Sequence, residues 1–394
     1  MEGSVMNNVR IAGVGMTKFG EWPKKRTREL FARAATEAIQ DAGLNQEDIE
    51  HVFYGNFIGE IAEKQGHQGP LIADAAGLDA PATRVESACA SGGIAVRQGI
   101  TQIQAGQADI VLVGGAERMN TLSTSETTDA LAAAADAVWE SNMGVTFPGA
   151  YALMAHRYFH NFGGSREDLA HIAVKNHQNA VDNNLAHFQR EIDVDDVINA
   201  PTVSSPFSVY DCSPISDGAA AAVLVSQDYA EQTGIAAPVE ITGAGQGGDK
   251  CALADRETMT WTRAAEKASR RAYQEANITP DDIDLIEAHD CFTIAEVLAL
   301  EALGIYERGE AIDAAKRGET TADGEVPVNL SGGLKAKGHP VGATGCAQIT
   351  EMTKLLQGTH VNSSSVDKAE IGVTHNAGGT VASAVVHVLE VKND

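Results

Sequence analysis

The sequence predicts an α/β fold built from two copies of one plan, each a sheet with helices on its faces, with a mostly helical segment inserted into the first copy. Three observations carry this. Apolar runs of strand length alternate with stretches of helical periodicity in both halves, the pattern of parallel or mixed sheets. The stretch A-I-Q-D-A-G-L-N-Q-E-D-I-E-H-V from Ala38 lines up without a gap on A-Y-Q-E-A-N-I-T-P-D-D-I-D-L-I from Ala272. Gln40/Gln274, Asp41/Glu275, Ala42/Ala276, Asp48/Asp282, Ile49/Ile283 and Glu50/Asp284 match in type. Helix-turn-strand units resemble one another in any case, but a register this long and unbroken is better explained by duplication. Finally, residues 117–206 abandon the alternation and are rich in helix formers and polar residues. The predicted organisation is a first half at 1–116, an inserted lid at 117–206, a return strand at 207–238 and a second half at 239–394.

In chain order, Val9–Phe19 reads as a strand running into a glycine-containing loop. Thr27–Asp41 puts Leu30, Phe31, Ala34, Ala38 and Ile39 on one helical face, and Gly43 ends it. His51–Tyr54 is the next strand, and a helix follows near Gly69–Ala76. The β-type run Thr83–Glu86 leads into the small-residue turn Ser87-Ala88-Cys89-Ala90-Ser91-Gly92-Gly93. Helical spacing resumes at Ile94, and Ile110–Val113 reads as a buried strand. Beyond the lid, Asp211–Val225 returns to the sheet. The second copy runs through the strand Val239–Gly243, the strand Asp284–Ala288, a helix over Thr293–Leu303 and a strand over Val326–Leu330. A glycine-rich loop at 331–345, a helix to Leu356 and the strands Glu370–Thr374 and Val381–Val391 complete it. Glu307–Gly324 reads as a charged, exposed connector.

With 394 residues, 43% of them hydrophobic, the chain can bury a large core and is not mainly disordered. The net charge of −25 disfavours nucleic acid and anionic membrane as partners. An acidic surface of this kind also fits life in high salt. Five widely spaced cysteines (Cys89, Cys212, Cys251, Cys291, Cys346) form no disulfide framework, which places the expected location in a reducing cytoplasm. The first ten residues lack the apolar core of a signal peptide, and no run is long enough to span a membrane.

Four loops that follow strands carry reactive residues: Cys89; His289 and Cys291; His339; and His375-Asn376 with two glycines. In open α/β sheets, sites gather at the carboxyl ends of strands. Cys89 stands between a strand and a helix N-terminus, where backbone N–H groups favour a thiolate; taken alone it could equally be an inert buried thiol. The glycines around His339 are not a phosphate cradle, because no Lys-Ser/Thr pair follows them. No close pair among Cys89, His289, Cys291 and His339 has zinc-type spacing, so no metal is expected. Two thiols and two imidazoles suit acyl transfer with carbanion chemistry: Cys89 as nucleophile, His339 raising its thiolate fraction and bonding an oxyanion, and Cys291 removing a proton α to a thioester. Backbone N–H groups of Cys89 and Gly378 can form a second oxyanion hole.

These features together resemble the thiolases, nearly end to end. Cys89-Ala90-Ser91, Gly338-His339-Pro340, Asn142-Met143-Gly144 in the lid and the duplicated halves carry the likeness. The resemblance implies two βαβαβαββ halves forming a layered α-β-α-β-α core. It implies that Ser213 contacts the pantetheine arm of CoA, that Met143 lines the acyl pocket and that Asn376 lies at the substrate. Two departures are informative. Most thiolases carry Asn-Glu-Ala-Phe where this chain has His289-Asp290-Cys291-Phe292. They also carry a catalytic Cys-x-Gly near the C-terminus, where Asn376-Ala377-Gly378 falls in register here, with His375 the alternative to Asn376 at the lost cysteine. Both changes are shared with archaeal thiolases and those linked to sterol carrier protein, in which the cysteine of His-Asp-Cys-Phe takes over the missing acid/base. The expected catalytic set is therefore Cys89, His339, Cys291 and His289. The expected reaction is Claisen condensation of two acetyl-CoA to acetoacetyl-CoA for the mevalonate route, with CoA thioesters as substrates and no cofactor. Cleavage of longer 3-ketoacyl-CoA and a non-catalytic acyl-CoA-binding scaffold are the alternatives. Expected partners are further copies in a homodimer or tetramer, 3-hydroxy-3-methylglutaryl-CoA synthase and a small OB-fold zinc-ribbon protein.

Overall fold

A computed structural model of the chain describes residues 8–366 and 369–392; all but the last three of the ten N-terminal residues read for a signal peptide lie outside it. The first half contains β1 (Val9–Met16), α1 (Thr27–Asp41), β2 (His51–Gly55), α2 (Gly59–Ala62), α3 (Gln68–Ala76), β3 (Ala82–Val85), α4 (Ser91–Gln104) and β4 (Ile110–Glu117). The chain then leaves the sheet through α5 (Thr124–Ala132), α6 (Phe147–Phe162), α7 (Arg166–Ala180), α8 (Val194–Asn199) and a ribbon of β5 (Thr202–Ser204) and β6 (Phe207–Ser208). It returns as β7 (Gly218–Ser226) and α9 (Gln227–Thr233). The second half runs β8 (Val239–Gly248), α10 (Arg263–Ala276), β9 (Leu285–Glu287), α11 (Thr293–Ala302), α12 (Ala311–Arg317), α13 (Thr344–Leu356), β10 (Ile371–Gly378) and β11 (Ser383–Val391).

The strands form one mixed sheet in the order β3-β2-β4-β7-β1-β8-β11-β10-β9. β2 is parallel to β3 and β4, β9 is parallel to β10, and β1 joins the halves by pairing antiparallel with β8 at Val9–Ile11. α1 and α3 cover the outer face of the first half and α10 the outer face of the second, while α4 and α13 pack between the halves against strands of both. The result is the α-β-α-β-α layering, with its two β layers continuous through β1 and β8.

Duplication is visible in the packing as well as in the register. Cβ atoms added to Gly13 and Gly15 of β1 would lie 2.4 and 2.3 Å from the carbonyl oxygens of Ala38 and Ala34 in α1. At Gly243 and Gly245 of β8 the corresponding distances are 2.2 and 1.9 Å, to Ala272 and Ala268 of α10. Each half therefore seats its outer helix on strand glycines, at positions where any side chain would push the layers apart.

Two expectations change. Val326–Leu330 forms no strand; one parallel bridge, Ile286 to Val328, is all that remains of the pairing β3 makes in the first half. Pro327 lacks an N–H to donate, which shortens any ladder there. Glu307–Gly324 is not a bare exposed connector: it folds α12, which buries Ala311, Ile312, Ala314 and Ala315. Among the described residues no helix is long and apolar enough to cross a membrane.

Candidate active site

Cys89 sits on a tight elbow between β3 and α4. Ala88 adopts φ +50, a left-handed conformation that costs a β-carbon-bearing residue about 1 kcal/mol. Local bonds hold it there. The Glu86 carboxylate accepts from Ala88 N at 2.7 Å, while Ser91 Oγ accepts from Ser87 N at 2.9 Å and donates to the Ala88 carbonyl at 2.6 Å. The elbow turns the half-buried Cys89 toward a cavity of about 140 Å³. Cys291, His339, Ser213, Tyr151 and Gly379 line it with an apolar wall including Phe57, Leu131, Phe147 and Val341. One ligating atom each from Cys89, His289 and His339 lie within 4.8 Å of one another. These form a donor set for a soft metal ion that the sequence spacing did not reveal.

The two histidines are held in opposite tautomers. Thr344 Oγ1 lies 2.7 Å from His339 Nδ1 and directs its own proton to the Pro340 carbonyl at 3.1 Å. His339 Nδ1 must therefore carry the hydrogen, which leaves Nε2 as a bare acceptor. For His289, the Asn376 amide Nδ2 donates to Nδ1 at 3.1 Å, so Nε2 carries the hydrogen. The Asn376 amide is placed unambiguously: Nδ2 also donates to the Cys89 carbonyl at 3.0 Å, and Oδ1 accepts from Gly93 N at 3.2 Å. The rings of His289 and His339 meet edge to face, with centroids 5.0 Å apart. One base and one donor thus stand side by side.

Electrostatics correct one expectation. The helix N-terminus does not leave Cys89 a thiolate at rest. Burial pushes its thiol well up, and Cys291 and Glu117 add to that; N–H groups of Gly379 and of Cys89 itself oppose it without winning. Burial pushes Cys291 up to about 12, against the opposing effects of the Tyr151 hydroxyl and Lys335. Burial, then Lys335, brings His339 down to about 3; burial, then His339 and His375, pushes His289 well below the usual range. Burial thus favours the neutral form of both thiols and both imidazoles.

Other predicted residues are placed differently. Met143 is 72% exposed and lies outside the catalytic cavity. Asn376 is 1% exposed behind Cys89, with its amide committed to Cys89, Gly93 and His289, and it does not line the cavity. Gly379, which has φ +61, lines the cavity beside Cys89, and it is its N–H rather than that of Gly378 that favours the Cys89 thiolate. Ser213 lines the cavity and donates its N–H to the Cys291 carbonyl at 3.0 Å. Sequence reasoning missed Thr344, Gly379 and Tyr151. Tyr151 lies on the apolar face of α6, where nothing sets it apart; its hydroxyl donates to the Gly379 carbonyl at 3.0 Å and its ring stacks on Phe292 at 4.7 Å.

The loops are locked together from beneath by Glu117 at the end of β4. Its buried carboxylate accepts from Asn56 Nδ2 (2.7 Å), Phe57 N (2.8 Å), Ile58 N (3.2 Å) and Gly342 N (3.1 Å), tying the turn after β2 to the loop that carries His339.

A family model described as the thiolase N-terminal domain matches residues 9–228, and one described as thiolase C-terminal domain-like matches 245–391. An acetyl-CoA acetyltransferase of Methanothermobacter thermautotrophicus is 45% identical over 384 residues, spanning 97% of this chain and 99% of the relative. One of Methanocaldococcus jannaschii is 40% identical over 393 residues, spanning 98% and 100%. Among solved structures, a chain of an Ltp2-ChsH2(DUF35) aldolase superposes with a TM-score of 0.84 at 25% identity, covering 98% of this chain and 99% of that one.

Proposed function

This chain belongs to the thiolase family and is an acyltransferase, and on that premise we propose that it condenses two acetyl-CoA to acetoacetyl-CoA and free CoA through an acetyl-cysteine. The observation that carries the reading is the pair of opposed histidine tautomers beside Cys89, with a second thiol, Cys291, on the same cavity. In the first half-reaction Cys89 Sγ attacks the thioester carbonyl and its proton passes to His339 Nε2. The oxyanion is held by the N–H groups of Cys89 and Gly379. The C–S bond to CoA breaks, and the departing sulfur takes the proton from His339. In the second, Cys291 gives its proton to His339 Nε2, and the resulting thiolate removes an α proton from a new acetyl-CoA. His289 Nε2–H, with His339 beside it, bonds the enolate oxygen. The enolate carbon then attacks the acetyl group on Cys89; the carbon–carbon bond forms, the Cys89–carbon bond breaks, and the Cys89 sulfur takes the proton from His339.

A cavity of about 140 Å³ supports a short acyl group over a long one. Condensation of two thioesters is unfavourable by itself, so the reading includes a consumer of acetoacetyl-CoA. We place a 3-hydroxy-3-methylglutaryl-CoA synthase of the mevalonate route there, held to a dimer or tetramer of this chain by a small OB-fold zinc-ribbon protein. The likeness to a chain from an assembly with a DUF35 component supports such a partner. Steady-state rates in both directions, across acyl-CoA lengths and salt concentrations, test the reading. Acetoacetyl-CoA formed from acetyl-CoA alone is the expected result; activity confined to cleavage of long 3-ketoacyl-CoA would contradict it.

A further inference from the structure

The hairpin from β10 to β11 turns through Gly379-Thr380-Val381-Ala382, since Gly378 still pairs with Ser383. Two of its residues are left-handed, Gly379 at φ +61 and Val381 at φ +67. Glycine takes up this conformation freely; a β-branched residue does so only when its surroundings impose it. Val381 is buried, and its strain has a visible use. The turn brings Ala382 N back to the Gly378 carbonyl at 3.1 Å. The peptide joining Gly378 to Gly379 is planar and trans, so with its carbonyl held by the turn the Gly379 N–H points the opposite way, out of it. Gly379 lines the catalytic cavity. The hairpin is also moored to the elbow that carries Cys89: Ser87 Oγ donates to Ser383 Oγ at 2.9 Å, and a Cβ on Gly378 would lie 2.5 Å from the Ser87 carbonyl oxygen.

The side chain that holds this turn is Arg256, from the segment between β8 and α10. Its Nη1 donates to the Thr380 carbonyl and its Nη2 to Thr380 Oγ1 at 2.8 Å, a fork closed on one residue. The guanidinium is itself aimed by main chain, with Nε donating to the Lys250 carbonyl at 3.0 Å and Nη2 to the Cys251 carbonyl at 3.3 Å. The same segment is tied to the lid, where the buried Glu140 carboxylate accepts from Leu253 N at 2.7 Å. Arg256 does not line the catalytic cavity, so any effect it has there passes through the hairpin. We propose that Arg256 is a positioning residue whose fork on Thr380 keeps Val381 left-handed and so keeps the Gly379 N–H presented to the acyl oxygen on Cys89. The inference rests on the reading of Gly379 as an oxyanion donor in the proposed reaction. Lysine cannot replace the fork, because a single ammonium does not match two acceptors set side by side.

The test is the infrared carbonyl band of an isotope-labelled acetyl group on Cys89, taken as the difference from the unlabelled form in the full-length Cys291→Ala chain, where the acetyl group should persist. A donor in the oxyanion hole polarises this carbonyl and lowers its frequency. Arg256→Met should move the band up, toward its position in the same chain unfolded in urea, and should slow Cys89 acetylation about a hundredfold at unchanged KM for acetyl-CoA. Arg256→Lys should fall between the two. Thr380→Val removes only the Oγ1 acceptor; it should shift the band the same way by less, and it decides the matter if the Met variant does not fold. A band that stays in place in these variants overturns the proposal, even where urea melts show the fold weakened, because stability alone does not move it. A chain with Arg256 intact whose acetyl group already absorbs where the unfolded one does would show that Gly379 is no oxyanion donor, and the proposal falls with that reading.

Discussion

Asn376→Asp isolates the tautomer argument, because it preserves size and one acceptor while removing both donors. The carboxylate can still accept from Gly93 N, now at 3.2 Å, but the Cys89 carbonyl loses its 3.0 Å partner. His289 Nδ1, which accepts at 3.1 Å, must instead donate to the new carboxylate. The ring hydrogen moves to Nδ1 and Nε2 faces the pocket bare. The enolate then loses a donor, which lowers condensation about 10²–10³-fold, or about 3–4 kcal/mol of barrier. Cys89 acetylation relies on His339 and on the N–H groups of Cys89 and Gly379, so it should fall only about tenfold through loosened positioning. The loss of a buried donor costs the fold about 1–3 kcal/mol. Isotope exchange between acetyl-CoA and CoA reads the first half-reaction, acetoacetyl-CoA formation reads both, and ring-nitrogen NMR reads the tautomer. Equal losses in exchange and condensation, or an unmoved tautomer, would show that Asn376 does not set the His289 tautomer.

Thr344→Val removes the acceptor for His339 Nδ1–H and allows the ring to place its hydrogen on Nε2; acetyl transfer to Cys89 should slow about a hundredfold in rapid-quench labelling, with Thr344→Ser restoring it. Glu117 bears on stability against pH. Burial lifts its carboxyl from 4.5 to about 7, so the folded state holds the proton more tightly than the unfolded one. That contribution is complete below 4.5 and is lost as pH rises through about 7, a fall of about 3 kcal/mol. Glu117→Gln does not titrate, so urea melts should show the wild type's stability relative to this variant declining between pH 5 and 8 by up to that amount. Gly345→Ala would put a Cβ 2.1 Å from Gly93 N and 2.3 Å from Asn376 Oδ1. It should cost about 3 kcal/mol in thermal or urea melts and impair acetylation with it.

The layers were legible because periodicity and duplication are written over long stretches, and the register from Ala38 to Ala272 returns as matching glycine seats on β1 and β8. The convergence of Cys89, Cys291 and His339 on one cavity was legible because Cys89 and Cys291 follow β3 and β9, and His339 follows the segment that stands where the matching strand was expected. What sequence could not supply was the direction of single groups. Gly378 and Gly379 are neighbours in a glycine pair, and only backbone conformation decides which N–H favours the Cys89 thiolate. Asn376 carries the chemistry of a substrate ligand, yet its amide is used up behind the nucleophile. Met143 lies in a motif, but the turn around it points it to solvent. The thiolate expected at Cys89 failed on a balance of magnitudes, because desolvation in an apolar cavity outweighs a few aligned N–H groups. Val326–Leu330 reads apolar enough for a strand, and Pro327 with a single bridge leaves it short of one.

In the proposed reaction the two thiols divide the work, Cys89 carrying the acyl group and Cys291 moving the α proton. Intact-protein mass spectrometry of Cys291→Ala mixed with acetyl-CoA tests it most directly, alongside an assay for acetoacetyl-CoA. One acetyl group added at Cys89 and no condensation product is the expected outcome. Acetoacetyl-CoA at the wild-type rate, or a chain that never acquires the acetyl group, would contradict it.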